Sequence, residues 1–160
     1  MSRKRTNNIL VVLITSCLAG CLSPTNAGTP VQNVPFSVIA SGQYPISGTH
    51  KNRKIEVLMD QPAFDAELAL YVELIQPHIV DFSTKRVVLI TLGQRNTGGY
   101  SVAMTGVQEF SDSIRASITI TKPGSNCAVP QSFTSPFQFI EVQSTKEMIF
   151  TEQLVVSNCN

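Results

Sequence analysis

The stretch that decides the fold is Arg86-Val87-Val88-Leu89-Ile90-Thr91-Leu92, a nearly continuous apolar run of strand length. Such a run, without helical periodicity, predicts a central strand of a sheet. The next segment is Gly93-Gln94-Arg95-Asn96-Thr97-Gly98-Gly99-Tyr100, and it opens another strand. Its two adjacent glycines permit positive φ angles and a close approach of the backbone to a neighbour.

Further strands are predicted on both sides of this run. They are Phe36–Ala40, Arg53–Met59, Tyr100–Val107, a strand marked by Ile114, Ile118 and Ile120, and a final hairpin of Phe137–Val142 with Glu147–Val156, turned at Ser144 and Thr145. Apart from Gly106, glycine and proline lie between these runs and not within them, as expected for turns that separate strands.

One helix is predicted between the strands. Asp60 suits the helix cap and Pro62 the first turn. Apolar residues recur every three or four positions at Phe64, Leu68, Val72 and Ile75, joined by Leu70 and Leu74, and the helix is expected to end before Pro77. We interpret this stripe as packing. The fold class is therefore α+β and mostly β, with one amphipathic helix packed on an antiparallel sheet or open barrel.

The amino terminus has the pattern of an export signal. Arg3, Lys4 and Arg5 precede an apolar stretch that begins at Ile9 and is too short to span a bilayer. The segment Leu18-Ala19-Gly20-Cys21 resembles the bacterial lipobox, in which the cysteine is lipidated and becomes the mature amino terminus. Two alternatives stay open: cleavage of an ordinary signal peptide after Ala27, and lipidation at Cys17.

The domain organisation follows from this pattern. Residues 1–20 are predicted as a lipoprotein signal peptide, residues 21–35 as the lipidated Cys21 with a flexible tether, and residues 36–160 as a single domain. Two or more acyl chains give stable anchoring, at about 0.8 kcal/mol for each buried CH₂. We expect a lipid-anchored protein of the cell envelope, and the absence of aspartate after Cys21 favours the outer over the inner membrane in a diderm organism.

Charge argues against nucleic acid as a partner. Three of the 12 basic residues lie at positions 3–5, which leaves nine against 11 acidic residues in the rest of the chain. Phosphate binding needs clustered positive charge, and the mature chain offers none.

Two cysteines remain after export and lipidation, Cys127 and Cys159. A pair in an oxidising compartment is typical of a disulfide. The alternative is a metal site, which requires more ligands, and the only histidines, His50 and His78, are distant in sequence. We expect no metal and no cofactor.

Catalytic signatures are weak in this chain. Asp60, Asp65 and Glu67 are better explained as residues that complement the start of a helix. A serine nucleophile with His78 as base and Asp81 as orienting residue stays open, but no local motif supports it. We therefore predict that the protein is not an enzyme.

A family resemblance covers most of residues 39–150. The motifs Val80-Asp81-Phe82, Gly93-Gln94-Arg95, Thr97-Gly98-Gly99-Tyr100, Pro123-Gly124, Thr134-Ser135-Pro136-Phe137 and Ile149-Phe150 resemble the PrcB family in their order and spacing. The resemblance implies a lipoprotein subunit of a bacterial surface protease complex. Phe64, Leu70–Tyr71 and Asn96 depart from the pattern expected for the family, where tryptophans and a proline are expected.

A fainter resemblance concerns the loop alone. Asn96-Thr97-Gly98-Gly99-Tyr100 is similar to the loop that chagasin-type inhibitors insert into the cleft of cysteine proteases. It implies that a thin glycine-rich wedge could lie along a cleft without clashes.

These observations predict a membrane-anchored, non-catalytic binding or accessory domain, as a subunit or stabiliser of a surface protease complex. The alternatives are a structural envelope lipoprotein without a protease partner and a chagasin-like inhibitor module. The residues predicted to contact a protease or another envelope protein are Arg95, Thr97, Gly98, Gly99, Tyr100, Ser135, Pro136 and Phe137. The competing interpretation is that the loop is only a hairpin connection whose tyrosine returns to the core.

Overall fold

A computed structural model of the chain describes residues 30–48, 52–73 and 76–159. Its elements, in chain order, are β1 (Gln32–Asn33), β2 (Phe36–Gly42), β3 (Lys54–Leu58), α1 (Gln61–Leu68), β4 (Arg86–Thr91), β5 (Ser101–Glu109), β6 (Ile114–Pro123), β7 (Phe137–Val142) and β8 (Met148–Ser157). Within the described residues, no helix is long and apolar enough to cross a membrane.

The strands form two four-stranded sheets. Sheet 1 has the order β1-β5-β6-β8 and sheet 2 the order β2-β7-β4-β3. Every pairing is antiparallel except β6 with β8, which is parallel. The predicted mostly β fold with one helix is confirmed, and the sheets do not close into a barrel.

β4 lies inside sheet 2 and is covered on both faces. Val88 and Ile90 belong to the core between the sheets, together with residues of β5, β6 and β7. Val87 and Leu89 point the opposite way, into a second core under α1. Because neighbouring side chains of a strand alternate between faces, both faces of this strand need apolar residues. This double burial explains the continuous apolar run.

The start of α1 agrees with the prediction, but its end does not. The Asp60 carboxylate accepts a hydrogen bond of 2.8 Å from the Ala63 amide, and Phe64 and Leu68 are fully buried. The helix ends at Leu68 instead of continuing toward Pro77. The carbonyl groups of Leu70 and Tyr71, which a longer helix would use internally, accept bonds from the amides of residues 47 and 46. Leu74 and Ile75, the end of the predicted stripe, lie outside the described residues.

The predicted hairpin of the last two strands is wrong. β7 and β8 belong to different sheets, so residues 143–147 cross from one sheet to the other. β7 already pairs with β2 on one edge and β4 on the other, which leaves no free edge for β8. β8 instead extends sheet 1 beside β6, in a register that runs from Ile114 with Met148 to Pro123 with Ser157.

Sheet 1 begins inside the segment 21–35 that we predict as a tether. The amides of Val31 and Val34 donate bonds of 2.8 and 2.9 Å to carbonyl groups of β5, and Val34 is buried. The Lys146 ammonium lies 2.5 Å from the Glu109 carboxylate, which also accepts a bond from Gln32. These bonds hold the end of β5, and they lower the pKa of Glu109.

Candidate partner-binding surface

The loop of residues 92–100, here called the crossing loop, connects β4 of sheet 2 to β5 of sheet 1. It is therefore a connection between two sheets, and the hairpin interpretation is wrong. The loop leaves β4 through Gly93, which has a φ of +67°, and the Gly93 amide donates a bond of 3.2 Å to the Thr91 hydroxyl. At its other end Tyr100 packs against the core between the sheets, as that interpretation expected of the tyrosine.

The crossing loop is bound along its length to residues 124–136, here called the proline loop. Arg95 and Thr134 exchange two backbone bonds of 2.8 and 3.0 Å. The Thr134 hydroxyl donates to the Thr97 carbonyl at 3.0 Å, and the Gly98 amide donates to the Pro130 carbonyl at 2.9 Å. Four hydrogen bonds over four residues fix the backbone of the crossing loop.

The two adjacent glycines are required by packing within the protein. A Cβ atom on Gly98 would lie 3.1 Å from Cδ of Pro130. Gly99 has a φ of +83°, and a Cβ atom there would lie 2.8 Å from Cγ1 of Val129. Gly98 is buried, whereas Gly99 and Asn96 are exposed. The glycine pair therefore does not form the free wedge that the chagasin-like interpretation requires.

Besides Gly98, three more of the predicted contact residues are not on the surface. Ser135 and Phe137 are 0% and 3% exposed, and Pro136 is also buried. The Ser135 amide donates to the Gln43 carbonyl at 2.8 Å, and the Phe137 ring lies 4.8 Å from the Tyr71 ring. This segment leads into a central strand, so its side chains support the crossing loop from inside. A contact between these side chains and a partner does not fit their burial.

Arg95 and Tyr100 form the polar and aromatic part of the surface. The guanidinium carbon of Arg95 lies 5.5 Å from the centre of the Tyr100 ring, within the range of a cation–π contact. Nε of Arg95 is buried without a hydrogen-bond acceptor, and among the described residues no carboxylate forms an ion pair with it. The carbonyl of Tyr100 accepts a bond of 2.9 Å from the Gln43 side chain, which holds the base of the ring in place.

The structure adds residues that the sequence did not identify. Pro130, Val129 and Thr134 hold the crossing loop, although they lie about 30 to 40 positions further along the chain. Thr134 stood out in the sequence only as part of a motif, and no local pattern links Val129 or Pro130 to the loop. Only the packing of the two loops reveals their role.

The alternative catalytic group is not assembled. Nε2 of His78 lies 3.8 Å from the Glu141 carboxylate, which also binds the Lys85 ammonium at 2.8 Å. The Asp81 carboxylate accepts bonds from Ser83 and Thr84 instead of orienting His78, and these bonds lower the pKa of Asp81. Asp81 therefore does not take the orienting role toward His78 that a catalytic triad would require of it.

The acidic residues near the helix have structural partners. Asp65 accepts a bond of 2.7 Å from the Gln61 side chain, and Glu67 lies 2.9 Å from the Lys54 ammonium. Burial alone would lower the pKa of Lys54, but its bonds with Glu56 and Glu67 outweigh this effect and raise it. In the part of the chain that the structure describes, no three His, Cys, Asp or Glu residues converge as a metal site.

The structure places Cys127 and Cys159 side by side. Their sulfur atoms are 1.98 Å apart and their Cα atoms 5.0 Å apart. The Gly124 amide also donates to the Ser157 carbonyl at 2.8 Å, so the end of β8 is held next to the proline loop. Cys21, the predicted lipidation site, lies outside the described residues.

Comparison with known families identifies one match. Residues 86–143 match the family model described as PrcB C-terminal. The matched segment runs from the start of β4 to just past β7, so it contains the crossing loop, the proline loop and the strands that hold them. The resemblance predicted from the sequence is confirmed for this segment. No curated protein and no solved structure matches the chain.

Proposed function

We propose that this protein, whose residues 86–143 match the PrcB C-terminal domain, is a lipid-anchored, non-catalytic accessory subunit of a protease complex at the cell surface. The family match supports the association with a protease complex. The partner contacts Arg95, Asn96, Thr97, Gly99 and Tyr100 on the exposed side of the crossing loop.

The observation that carries the proposal is the environment of the Arg95 guanidinium. Its guanidinium rests on the Tyr100 ring and has no carboxylate partner among the described residues, while the backbone beneath it is fixed by the proline loop. A fixed backbone lowers the conformational entropy that is lost when a partner binds. Arginine and tyrosine are also among the residues that contribute most to protein–protein affinity.

The Arg95 guanidinium also indicates which chemical groups the partner surface should present. A guanidinium with unused N–H donors binds a carboxylate strongly, because two parallel hydrogen bonds can form. The buried Nε of Arg95 leaves the terminal nitrogen atoms as the groups that can reach outward. We expect the partner surface to present an aspartate or glutamate to Arg95 and an apolar group to Tyr100.

The lipid anchor places this surface at the membrane. Cys21 is the attachment site, and the residues between it and β1 form the connection to the domain. An accessory subunit held in this way stays next to a membrane-associated protease. We propose the outer membrane as its location in a diderm organism.

The anchor is tested independently of the partner. Cells that express the natural chain or the Cys21→Ala variant are grown with a labelled fatty acid, and the protein is isolated from membrane and soluble fractions. Label and membrane association are expected for the natural chain only. Label that persists in Cys21→Ala would move the attachment site to another cysteine.

The partner is tested with a charge reversal. The protein is isolated from native membranes in mild detergent as the natural chain, as Arg95→Glu and as Arg95→Ala, and the bound proteins are identified by mass spectrometry. We expect a protease with the natural chain, at least tenfold less of it with Arg95→Ala, and still less with Arg95→Glu.

Arg115 provides a matched control. Its guanidinium also rests on an aromatic ring, 4.2 Å from the centre of Phe110, and it also lacks a carboxylate partner among the described residues. Arg115→Glu makes the same change of charge away from the crossing loop and should leave the bound protease unchanged. If the natural chain and all variants bind the same proteins without a protease, a structural envelope lipoprotein becomes the better explanation.

A further inference from the structure

Three of the four edges of the two sheets are protected against pairing with another chain. At the first edge of sheet 1, β1 has only two residues and the neighbouring β5 has a register shift at Thr105. β2 has a register shift at Ile39, and β3 is five residues long with charged residues Lys54 and Glu56. Short strands, bulges and charges are the usual means by which proteins prevent edge-to-edge association.

The fourth edge, β8, is neither short nor interrupted by a bulge, and it carries a single charge. The strand is ten residues long, its register with β6 is unbroken, and Glu152 is its only charged residue. Glu152 already forms an ion pair with Arg53. Leu154, Val155 and Val156 are 61%, 39% and 47% exposed. Among the described residues, no strand covers the outer edge of β8, and long apolar edges of this kind favour strand addition.

The hydrogen bonds of β8 show which backbone groups are free. The carbonyl groups of Glu147 and Ser157 accept bonds from the amides of Ile114 and Gly124, on the β6 side. The amide and the carbonyl of one strand residue point to the same edge of the strand. The backbone groups of the odd-numbered residues of β8 are therefore directed toward β6. Leu154 and Val156 therefore direct their backbone groups to the open edge.

The order of apolar and polar side chains along β8 is symmetric about Val155. Leu154 and Val156 are its neighbours, followed on the two sides by Gln153 with Ser157 and then by Glu152 with Asn158. A two-fold interface requires such self-complementarity, because each residue meets a residue of the same surface on the other copy.

We propose that β8 pairs antiparallel with β8 of a second copy of this chain, with Val155 opposite Val155 of the second copy. This register places Leu154 opposite Val156 and Gln153 opposite Ser157, so apolar groups meet apolar groups and polar groups meet polar groups. Glu152 meets the neutral Asn158, which avoids a contact between like charges. The two copies then form one continuous eight-stranded sheet.

The directions of the backbone amide and carbonyl groups in β8 agree with this register. Leu154 and Val156 both direct their amide and carbonyl groups outward, so they form the hydrogen-bonded pairs of an antiparallel ladder. The backbone groups of Val155 are directed toward β6. Val155 and Val155 of the second copy therefore form a pair without hydrogen bonds, in which the two Cα atoms lie about 4.5 Å apart. We expect the contact area of a single strand pair to fall below the roughly 1,200 Å² of stable interfaces, so the dimer should be weak and should form mainly at higher concentration.

The experiment measures mass by sedimentation of the full-length protein in detergent over a series of concentrations. The natural chain is expected to shift from monomer to dimer as its concentration rises. Val155→Lys and Val155→Glu each place two like charges opposite one another, so each alone should dimerise at least tenfold more weakly. A mixture of the two should regain the dimer, because the opposed charges then attract.

Gln153→Lys is the control for added charge. Position 153 lies on the same strand, but in this register it is opposite the neutral Ser157 of the second copy and not opposite a second lysine. Dimerisation should therefore weaken less than in Val155→Lys. Thermal unfolding of each variant shows whether the fold is retained. A natural chain that stays monomeric at every concentration, or a dimer that Val155→Lys leaves intact, would overturn the proposal.

A covalent test reports the register directly. Under mild oxidation Val155→Cys should form a disulfide between the two substituted positions, because their separation suits such a bond. Ile149→Cys changes a residue of similar exposure on the same face of β8, 47% against 39% for Val155, but this register keeps the two copies of position 149 far apart along the paired strands. Cross-linking of Ile149→Cys as efficient as that of Val155→Cys would contradict the register.

Discussion

The amide nitrogen of Gly98 donates a hydrogen bond of 2.9 Å to the carbonyl oxygen of Pro130, and the proline ring fills the space where a Cβ of Gly98 would lie. The same proline loop packs against Gly99 through Val129. The shape of the crossing loop is thus set by a segment about 30 residues further along the chain. Substitutions in either loop should affect the surface around Arg95.

The first prediction concerns Gly99. Gly99→Ala should lower the free energy of unfolding by about 2 kcal/mol or more, because an L side chain disfavours the φ of +83° and its Cβ would meet Val129. Gly106→Ala is the control, since a Cβ atom there would have no neighbour within 4 Å and the φ of Gly106 is not positive. Urea unfolding measures both. Equal losses in the two variants would show that the packing of Gly99 is unimportant.

The second prediction concerns the cysteine pair. If Cys127 and Cys159 form the disulfide that the sequence predicts, alkylation without reductant should leave both unmodified. Replacing both with serine should lower the free energy of unfolding by about 3–4 kcal/mol, given their separation of 32 residues. Reductant should destabilise the natural chain and leave the double variant unchanged. Alkylation of either cysteine in the untreated protein would contradict the pairing.

The third prediction concerns pH and Tyr71. Burial raises the pKa of Tyr71, which is 1% exposed and packs against Phe137 and Phe139. The unfolded chain then releases this proton at a lower pH than the folded chain, so stability is lost as pH rises above about 10. Urea midpoints between pH 8 and 11 are compared for the natural chain and Tyr71→Phe, with pH values chosen around that ordinary pKa of about 10.

Tyr71→Phe should show a smaller loss of stability in alkali than the natural chain. Tyr44→Phe serves as the control because the Tyr44 side chain is 61% exposed, and it should keep the alkaline loss of the natural chain. The same pH dependence in all three proteins would mean that other groups cause the alkaline unfolding.

The fourth prediction concerns the second core. Phe64 lies on α1 and is fully buried in the second core, with ring centres of Phe139 and Phe82 at 6.2 and 6.4 Å. Phe64→Ala should cost about 3–5 kcal/mol of unfolding free energy, because it leaves a cavity. Ile79→Ala removes a side chain that is 75% exposed and should change stability by less than about 0.5 kcal/mol. A small effect of Phe64→Ala would show that the helix is not needed for stability.

Local patterns predicted the features that depend on neighbouring residues. The run at β4, the cap at Asp60 and the start of α1 follow from periodicity and capping chemistry. The end of α1 depends on bonds with residues 46 and 47, and the place of β8 depends on which strand edges remain free. Such choices are made between distant segments, and hydrophobic periodicity carries no information about them.

The candidate site shows the same division. The sequence identified the crossing loop by its glycines and by Arg95 and Tyr100, which the structure brings together. The sequence did not show that the segment Ser135–Phe137 is buried and not exposed for contact with a partner. Its burial depends on the strand that this segment enters. The contact between Gly98 and Pro130 likewise required the packing of two loops.

The central claim is that the crossing loop binds a protease, and site-specific photo-crosslinking in living cells tests it most directly. A photoreactive amino acid is placed at Asn96, which is exposed beside Arg95, or at Thr105, which is exposed on β5 away from the loop. We predict an adduct with a protease from position 96, absent from position 105 and lost when Arg95→Glu is added. The same adducts from both positions, or none with a protease from position 96, would contradict the account.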